Sequence, residues 1–235
     1  MPTEIKVLSS TAMKTPFDEF IPQFERTSGH RIAASFGPST QIVKRIGDGE
    51  TSDVTIVTTD VIDGLIEQGK VVAGTPVVIA GSGVGLAVKK GAPKPDISSV
   101  EKFKQTMLEA KSLAMSNPVG GGQSGAVVAK AFERLGIAAA MQPKTIYGAG
   151  GPNGLSGSYV ARGETEYAVQ QIPELMSVAG IEVVGPLPGE LQVMTIFTAG
   201  ISTSAKDAGA ARALIAFLAT PAAKAVIKAK GLEPA

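Results

Sequence analysis

Four short stretches of the 235-residue chain place hydroxyl, amide or glycine residues just before a predicted helix. They are SSTAM (9–13), GPSTQ (37–41), NPVGGGQSG (117–125) and GAGGPNGLSG (148–157). The first backbone N–H groups of a helix have no partner inside the helix and carry a partial positive charge. Several such starts together can bind an anion without any basic side chain. The four stretches therefore predict an anion site.

Each junction taken alone is better explained as an ordinary helix cap than as a binding loop. Ser, Thr and Asn are preferred at the N-cap, where their side chains stabilise a helix by about 1 kcal/mol. The two glycine-rich stretches, 120–125 and 148–154, exceed what a cap requires, because a cap needs only one small residue. Glycine allows the backbone to approach a ligand closely, so these two stretches favour binding.

Most other site chemistries are disfavoured by composition. The chain contains no cysteine, which excludes a disulfide, a thiolate metal site and a cysteine nucleophile. The single histidine, His30, lies between a predicted helix and a predicted strand with no evident partner, which argues against a Ser-His-Asp triad. Neither a phosphate-binding loop nor a dinucleotide-binding loop has its required spacing. The sequence predicts no metal and no cofactor.

Charge and hydropathy restrict the possible partners. The formal net charge is +1, too small to draw the chain to nucleic acid by bulk electrostatics. No apolar run approaches the roughly 20 residues that span a bilayer, and MPTEIKVLSS lacks the regions of a signal peptide. These features predict a monomer without membrane insertion, cytoplasmic as written and periplasmic if a leader was trimmed.

Strand and helix patterns alternate along the chain, beginning with the strands IKVLSS (5–10), RIAASF (31–36) and VTIV (54–57). This alternation predicts an α/β fold with mostly parallel sheets flanked by helices. Pro221 and Gly231 are placed as the first residue of the last helix and the residue just past its end. In open α/β sheets, ligands bind at the carboxyl ends of the strands, where all four junctions lie.

The order of motifs resembles the type II periplasmic solute-binding proteins, specifically their molybdate-binding-like group. The resemblance rests on IKVLSSTAM (5–13), FERTSGHRIAASFGPSTQIVKRIGDGETSDVTIV (24–57), SGAVVAKAFERLGI (124–137) and AARALIAFLATPAAKAVIKAKGLEP (210–234). It implies two α/β lobes, with residues 1–91 plus 190–235 in lobe one, residues 92–189 in lobe two, and the ligand in the cleft between the lobes.

The resemblance also implies where the ligand would bind. The family positions fall on Ala12, Ser39, Ser124 and Gln171. Together with the junction loops, they give the predicted ligand-binding residues Ser10, Thr11, Ala12, Ser39, Thr40, Gln123, Ser124, Asn153, Gly154 and Gln171. Ala12 stands where the family has a serine, and Gln171 stands where it has a tyrosine. An amide at 171 and a glycine-rich loop nearby suit a ligand larger than molybdate, such as an organic acid.

Two functions remain open at this stage. In one, the protein binds a small oxyanion or carboxylate and, if exported, delivers it to an ABC importer. In the other, it resembles the relatives that have become enzymes, such as aconitate isomerase, which moves a double bond by proton transfer. That reaction needs a general base, and Glu164, Tyr159 and Tyr147 are the candidates by location.

Overall fold

The computed structural model describes residues 2–119, 122–148 and 154–235. These residues form two compact units. Unit 1 comprises Met1–Gly81 and Thr195–Ala235, and unit 2 comprises Ser82–Met194.

The first third of the chain alternates strands and helices, as predicted. Its elements are β1 (Glu4–Ser10), α1 (Lys14–Ser28), β2 (Arg31–Gly37), α2 (Ser39–Gly47), β3 (Val54–Thr58), α3 (Thr59–Glu67) and β4 (Val77–Ser82). A 3-10 turn, Thr11–Met13, joins β1 to α1.

The middle of the chain continues the alternation with shorter elements. These are β5 (Val84–Lys89), α4 (Val100–Glu109), β6 (Leu113–Ser116), α5 (Gln123–Arg134), α6 (Ala138–Met141), β7 (Thr145–Gly148), α7 (Ser156–Arg162), β8 (Tyr167–Gln171), α8 (Ile172–Met176) and β9 (Ile181–Pro186).

The last elements return to unit 1. They are β10 (Thr195–Ile201), α9 (Ala208–Leu218), α10 (Pro221–Ala229) and β11 (Glu233–Pro234). Pro221 is the first residue of α10, and Gly231 follows the helix with a φ of 82°, so both predicted boundary residues are confirmed.

Unit 1 contains a six-stranded mixed sheet in the order β11-β4-β10-β3-β1-β2. β1 runs parallel to β2 and β3, and β10 runs antiparallel to β3. One apolar cluster joins strand residues to the phenylalanines of α1 and to α9 and α10. A second cluster joins other strand residues to α2 and α3. Successive residues of a strand point to opposite faces of the sheet. Val7 and Leu8 are successive residues of β1 and belong to different clusters, so the sheet is covered on both faces.

Unit 2 contains a five-stranded mixed sheet in the order β7-β6-β8-β5-β9. β6 runs parallel to β7 and β8, whereas β5 runs antiparallel to β8 and β9. Phe103, Val128 and Phe132 pack from α4 and α5 in one cluster, and Val160 and Leu175 pack from α7 and α8 in another. Two mixed sheets flanked by helices confirm the predicted α/β class.

The boundaries of the units differ from the predicted lobes. The prediction placed residues 84–89 in lobe one, whereas β5 belongs to unit 2 because it pairs with both β8 and β9. The chain passes back from unit 2 to unit 1 between Met194 and Thr195, rather than after residue 189. A uniformly apolar strand such as β5 suits either sheet by pattern alone, so its strand pairing had to be observed.

Within the described residues, none of the helices has by itself the length and apolar character to cross a membrane. Only α9 and α10 together meet that test, and they are bent by 63° at their junction.

Candidate functional site

In unit 1, the first two junctions lie next to each other at one edge of the sheet. Ser10 and Gly37 are partners in the parallel register of β1 and β2, so both strands end at the same level. Thr11 directly follows Ser10, and Ser39 follows Gly37 after Pro38; the two residues are 7% and 6% exposed. The hydroxyl of Thr11 has no hydrogen-bond partner, and within the described residues Ser39 has none either. Two largely buried hydroxyls are therefore available on neighbouring loops.

The helix-cap interpretation of Ser39 is wrong. The N-cap of α2 is Pro38, and Ser39 is already the first residue of the helix. At all four predicted junctions, the side chain of the N-cap residue makes no capping hydrogen bond. Elsewhere the chain does cap helices this way, through Ser99 for α4, Asp207 for α9 and Thr220 for α10. The junction hydroxyls are thus not used for helix capping.

Ala12 and Thr40 have surroundings that differ from those of Thr11 and Ser39. Ala12 is 2% exposed and packs in the apolar cluster with α1, so its methyl group serves the core. Thr40 lies in the first turn of α2 and is exposed. Serine in place of Ala12 would set a hydroxyl in this apolar cluster, and burying one without a partner is costly.

Further hydroxyls lie at the end of β3, where sequence analysis proposed none. Thr59, the first residue of α3, shares a 2.8 Å hydrogen bond with Thr198 of β10. Phe197 is the register partner of Thr58. Thr198 belongs to β10, which is far from β3 in sequence and runs antiparallel to it. Thr59 and Thr198 therefore meet only because the sheet places these two strands side by side.

In unit 2, the third and fourth junctions are also neighbours. Ser116 and Gly148 are partners at the ends of β6 and β7. The Ser124 hydroxyl donates a 3.3 Å hydrogen bond to the Ser116 oxygen, and both side chains are buried. A Cβ atom on Gly125 would collide with the Ser116 carbonyl oxygen, so only glycine allows α5 to start this close to β6.

A similar close approach occurs at the fourth junction. A Cβ atom on Gly148 would lie 2.7 Å from the Gly154 carbonyl oxygen and 3.5 Å from the Ser156 hydroxyl oxygen. Ser156 is fully buried, and its hydroxyl has no hydrogen-bond partner. Gly154 therefore lies at the strand ends, as predicted, beside a buried hydroxyl that the prediction did not include.

The remaining predicted residues of unit 2 also follow strands of its sheet. Gln123 is the first residue of α5 and is half-buried, and Gln171 ends β8 and is 4% exposed. Asn153 lies outside the described residues.

The three candidate bases named from the sequence are poorly suited to that role. Glu164 is paired with Arg162 at 2.5 Å, and this hydrogen bond lowers the pKa of the carboxyl. Tyr159 lies under the Arg162 guanidinium, 4.8 Å from its ring centre, and Tyr147 is 46% exposed. A base for proton abstraction works best with a pKa near the working pH, and the lowered pKa of Glu164 moves this carboxyl away from that condition.

Glu174, which sequence analysis did not single out, has a carboxyl whose pKa is raised toward neutrality. It lies in the first turn of α8, three residues after Gln171, and its side chain is half-buried. Desolvation raises the pKa of its carboxyl to about 7, against an opposing hydrogen bond from the Gln170 side chain. The sequence carried no sign of this burial, because Glu in a first helical turn is usually solvent-exposed.

Two surface cavities lie away from these junctions. One of about 470 Å³ in unit 2 is lined by segments 94–98 and 184–189. The other, of about 130 Å³ in unit 1, is lined by residues that include Ser52 and Ser202, at the opposite ends of the parallel strands. Because neither contains a junction residue, the candidate site rests on side-chain chemistry rather than on cavity size.

Residues 5–233 match the family of bacterial extracellular solute-binding proteins. The chain belongs to this family. The match extends over nearly all of the chain and includes both units.

Two relatives of this solute-binding protein have named functions. It is 32% identical over 237 residues to an aconitate isomerase from a Pseudomonas species, covering 99% of this chain and 88% of the relative. It is 29% identical over 235 residues to the molybdate-binding protein ModA of Azotobacter vinelandii, covering 97% and 89% of the two chains.

Solved structures confirm the predicted fold of the solute-binding protein. The periplasmic molybdate-binding protein of Azotobacter vinelandii aligns with a TM-score of 0.80 at 20% identity, covering 97% of this chain and 98% of that one. The predicted periplasmic-binding-protein fold is therefore correct.

Proposed function

We propose that the protein binds a small anion, either an oxyanion or an organic carboxylate, through neutral donors at its strand-to-helix junctions. The observation that carries this proposal is the set of hydroxyls without a protein partner at those junctions: the hydroxyls of Thr11 and Ser156 are buried, and that of Ser39 belongs to a residue that is 6% exposed.

The energetic argument for a ligand is direct. A buried hydroxyl left unsatisfied costs about 1–3 kcal/mol, so the folded chain loses stability at Thr11 and Ser156, whose hydroxyls are buried without a partner. An anion bound at a junction would accept the hydrogen bond of the hydroxyl there, and bonds to a charged acceptor are stronger than those between neutral groups. The predicted ligand-binding residues include no Lys or Arg, which leaves hydroxyl, amide and backbone N–H groups as the donors.

Within this class, we favour an organic carboxylate. Gln171 has an amide group where the family pattern has a phenol. An amide has two donor hydrogens and an acceptor oxygen, so it can form several hydrogen bonds with a ligand that has several polar atoms. The 32% identical relative is named for its action on aconitate, a small tricarboxylate.

The test is a binding panel measured by calorimetry and thermal unfolding. Sulfate, molybdate, trans-aconitate and tricarballylate are each added to the purified protein. A ligand that binds only the folded state raises the unfolding temperature in proportion to its affinity. We expect the carboxylates to give the larger shift. If no probe shifts the transition, anion binding is excluded for this panel.

A second candidate function is isomerisation of a small unsaturated carboxylic acid, favoured by the relative named aconitate isomerase. The reaction would take a proton from one carbon and return it to another as the double bond moves, with no net change in composition. Buried donors would stabilise the charge that develops on the carboxylate side.

The isomerase candidate is tested by mixing the protein with cis-aconitate or trans-aconitate and following ultraviolet absorbance. An enzyme converts either isomer to the same equilibrium mixture, at a rate proportional to protein concentration. Binding of trans-aconitate without any conversion would leave the protein as a binding protein alone.

An ABC importer is the partner we propose for the binding role, with the periplasm as the place of action. The basis is membership in a family of extracellular solute-binding proteins. Cell fractionation of a host that expresses the native gene would test this location, and recovery of the protein only in the cytoplasm would contradict it.

A further inference from the structure

A pair of threonines joins the end of β3 to β10 in unit 1. The hydroxyls of Thr59 and Thr198 share a 2.8 Å hydrogen bond. Thr198 is 2% exposed, whereas Thr59, the first residue of α3, is half-buried. The inner hydroxyl is therefore shielded from solvent, and the outer one is partly accessible.

Only one direction of this hydrogen bond satisfies both hydroxyls. If Thr59 were the donor, the hydrogen of Thr198 would have no acceptor among the described residues, and an unsatisfied buried hydroxyl costs about 1–3 kcal/mol. If Thr198 is the donor, the hydrogen of Thr59 is left with the Ile196 carbonyl oxygen at 3.4 Å, longer than the usual range of about 2.5–3.0 Å. Thr198 is thus the donor, and Thr59 keeps a hydrogen that can turn to an anion at little cost.

The end of β3 lies at the same edge of the sheet as the first two junctions. β1 pairs in parallel with β2 on one side and with β3 on the other, and Ser9 is the register partner of Ile56. Counting two residues on from this pair, Thr11 is level with Thr58, the residue before Thr59. Thr59 therefore begins its helix about one strand spacing, roughly 4.8 Å, from the loop that carries the unpartnered hydroxyl of Thr11.

Ser39 and Thr59 follow strands on opposite sides of β1. Two strand spacings separate these strand ends by about 10 Å. A hydrogen bond from each side spans about 2.7 Å, which leaves roughly 4–5 Å between the two accepting oxygens of a ligand. The oxygens of one sulfate or molybdate are closer together than that, whereas separate carboxylates of one molecule can be this far apart.

We propose that Thr59 is a further ligand-binding residue of unit 1 and that it selects ligands with more than one carboxylate over single oxyanions. The inference rests on the proposed function. Thr11 and Ser39 bind one carboxylate, and Thr59 binds a second. Thr198 is a positioning residue, because it acts through Thr59. Asp60, the acidic residue in the first turn of α3, is exposed, so solvent screens its charge.

The experiment measures the affinities of the purified protein for trans-aconitate and sulfate by calorimetry. Thr59→Val removes the hydroxyl at nearly constant shape. We expect its affinity for trans-aconitate to fall about ten-fold or more, the loss of one hydrogen bond to a charged group, and its affinity for sulfate to change by less than about three-fold. Thr59→Ser, which keeps a hydroxyl, should recover most of the affinity that Thr59→Val loses.

Thr203→Val is the matched control. Thr203 is exposed at the opposite ends of the unit 1 strands, where its hydroxyl donates a 2.9 Å hydrogen bond to the Gly69 carbonyl oxygen. This substitution also replaces a hydrogen-bonded threonine of unit 1, so it should leave the affinities for both ligands unchanged.

Thr198→Val tests the positioning role. It removes the donor that directs the Thr59 hydrogen outward, so affinity for trans-aconitate should fall by about three- to ten-fold. Since Thr198 acts through Thr59, the double variant should bind trans-aconitate as weakly as Thr59→Val alone. Independent roles would make the two losses add. The double variant also leaves no unsatisfied hydroxyl in the pair, so it keeps the test valid if Thr59→Val is poorly folded.

The outcomes separate this inference from the proposed function. If Thr59→Val binds trans-aconitate as tightly as the wild type, or loses the same factor for both ligands, the selection by Thr59 is wrong while anion binding stands. The same holds if the wild type binds sulfate but not trans-aconitate. If the wild type binds only trans-aconitate, the affinity of Thr59→Val for that ligand decides. If it binds neither, the proposed function fails and this inference fails with it.

Discussion

At the scale of single residues, the decisive feature is how each hydroxyl group is used. Ser99 and Thr220 accept hydrogen bonds from the backbone of the helices that they cap. Thr11, Ser39 and Ser156 stand at equally suitable positions in the sequence, yet their hydroxyls make no such bond. The same residue type therefore contributes to stability at one helix start and remains available for a ligand at another.

Ser39→Ala should separate these two roles. Because Ser39 caps nothing, we expect the free energy of unfolding to change by less than about 0.5 kcal/mol. Anion affinity should fall by about ten-fold or more, the loss of one hydrogen bond to a charged group. Urea unfolding and calorimetric titration provide the two measurements.

The matched control is Ser99→Ala, which removes a real cap. Its unfolding free energy should drop by about 1 kcal/mol with unchanged anion affinity. Equal affinity in wild type and Ser39→Ala would remove Ser39 from the site.

Glu174 gives a second residue-scale prediction, on stability alone. Its folded-state pKa of about 7 exceeds its ordinary value of 4.5, so the folded protein binds this proton more tightly than the unfolded chain. Stability should therefore fall as the pH rises from 4.5 to 7, and the penalty is complete above that window. Because the side chain is only half-buried, we expect about 1 to 3 kcal/mol.

Glu174→Gln should remove this penalty. At about pH 8 the variant should be more stable than the wild type by that amount, and near pH 5 the two should differ little. Urea unfolding at the two pH values measures the difference. If the wild type were instead more stable than Glu174→Gln at the higher pH, the surroundings of Glu174 would favour its ionised form.

At the scale of secondary-structure elements, close contact between helix starts and strand ends depends on glycine. α5 begins against the last residues of β6 because Gly125 has no side chain there. At the opposite ends of the unit 1 strands, the Asp53 carboxylate accepts 2.7 Å hydrogen bonds from the backbone N–H groups of Lys6 and Lys206. Its contacts therefore lie away from the junctions.

Gly125→Ala should destabilise unit 2. The added methyl would collide with the Ser116 carbonyl oxygen, so α5 must shift, and we expect a loss of about 2 kcal/mol or more. Ser124 would move with the helix, so anion affinity should fall as well.

The control is Gly47→Ala in the last residue of α2, where a new Cβ atom has no neighbour within 4 Å. There the substitution should leave stability unchanged or raise it by up to about 1 kcal/mol. If Gly125→Ala behaved like this control, close packing at the third junction would not matter.

At the scale of the whole molecule, charge is nearly balanced, with 22 basic and 21 acidic residues. No bulk field steers an anion toward the protein, and the predicted ligand-binding residues are all neutral. Recognition would then depend on short-range hydrogen bonds, which dissolved salt screens only weakly.

Anion affinity should accordingly depend little on ionic strength. Between about 0.05 M and 0.5 M potassium chloride, we expect a change of less than about three-fold, measured by calorimetry with trans-aconitate. A basic site would instead lose affinity steeply with salt. A fall of more than about ten-fold would point to Lys or Arg side chains in the site.

Much of this protein could be predicted from local patterns. The alternation of strands and helices, the α/β class and the positions of Pro221 and Gly231 all depend on neighbouring residues, so they are readable in one dimension. The same is true of the location of the four junctions, since each follows a strand and precedes a helix.

Tertiary structure decided the rest, because it depends on residues far apart in the chain. The pairing of β5 with β8 and β9 assigned that strand to unit 2. Burial desolvated Glu174, and the hydrogen bond from the Ser156 backbone N–H to Gln170 joined the start of α7 to β8. By itself the sequence determined which groups could bind an anion, and folding determined which of them are free to do so.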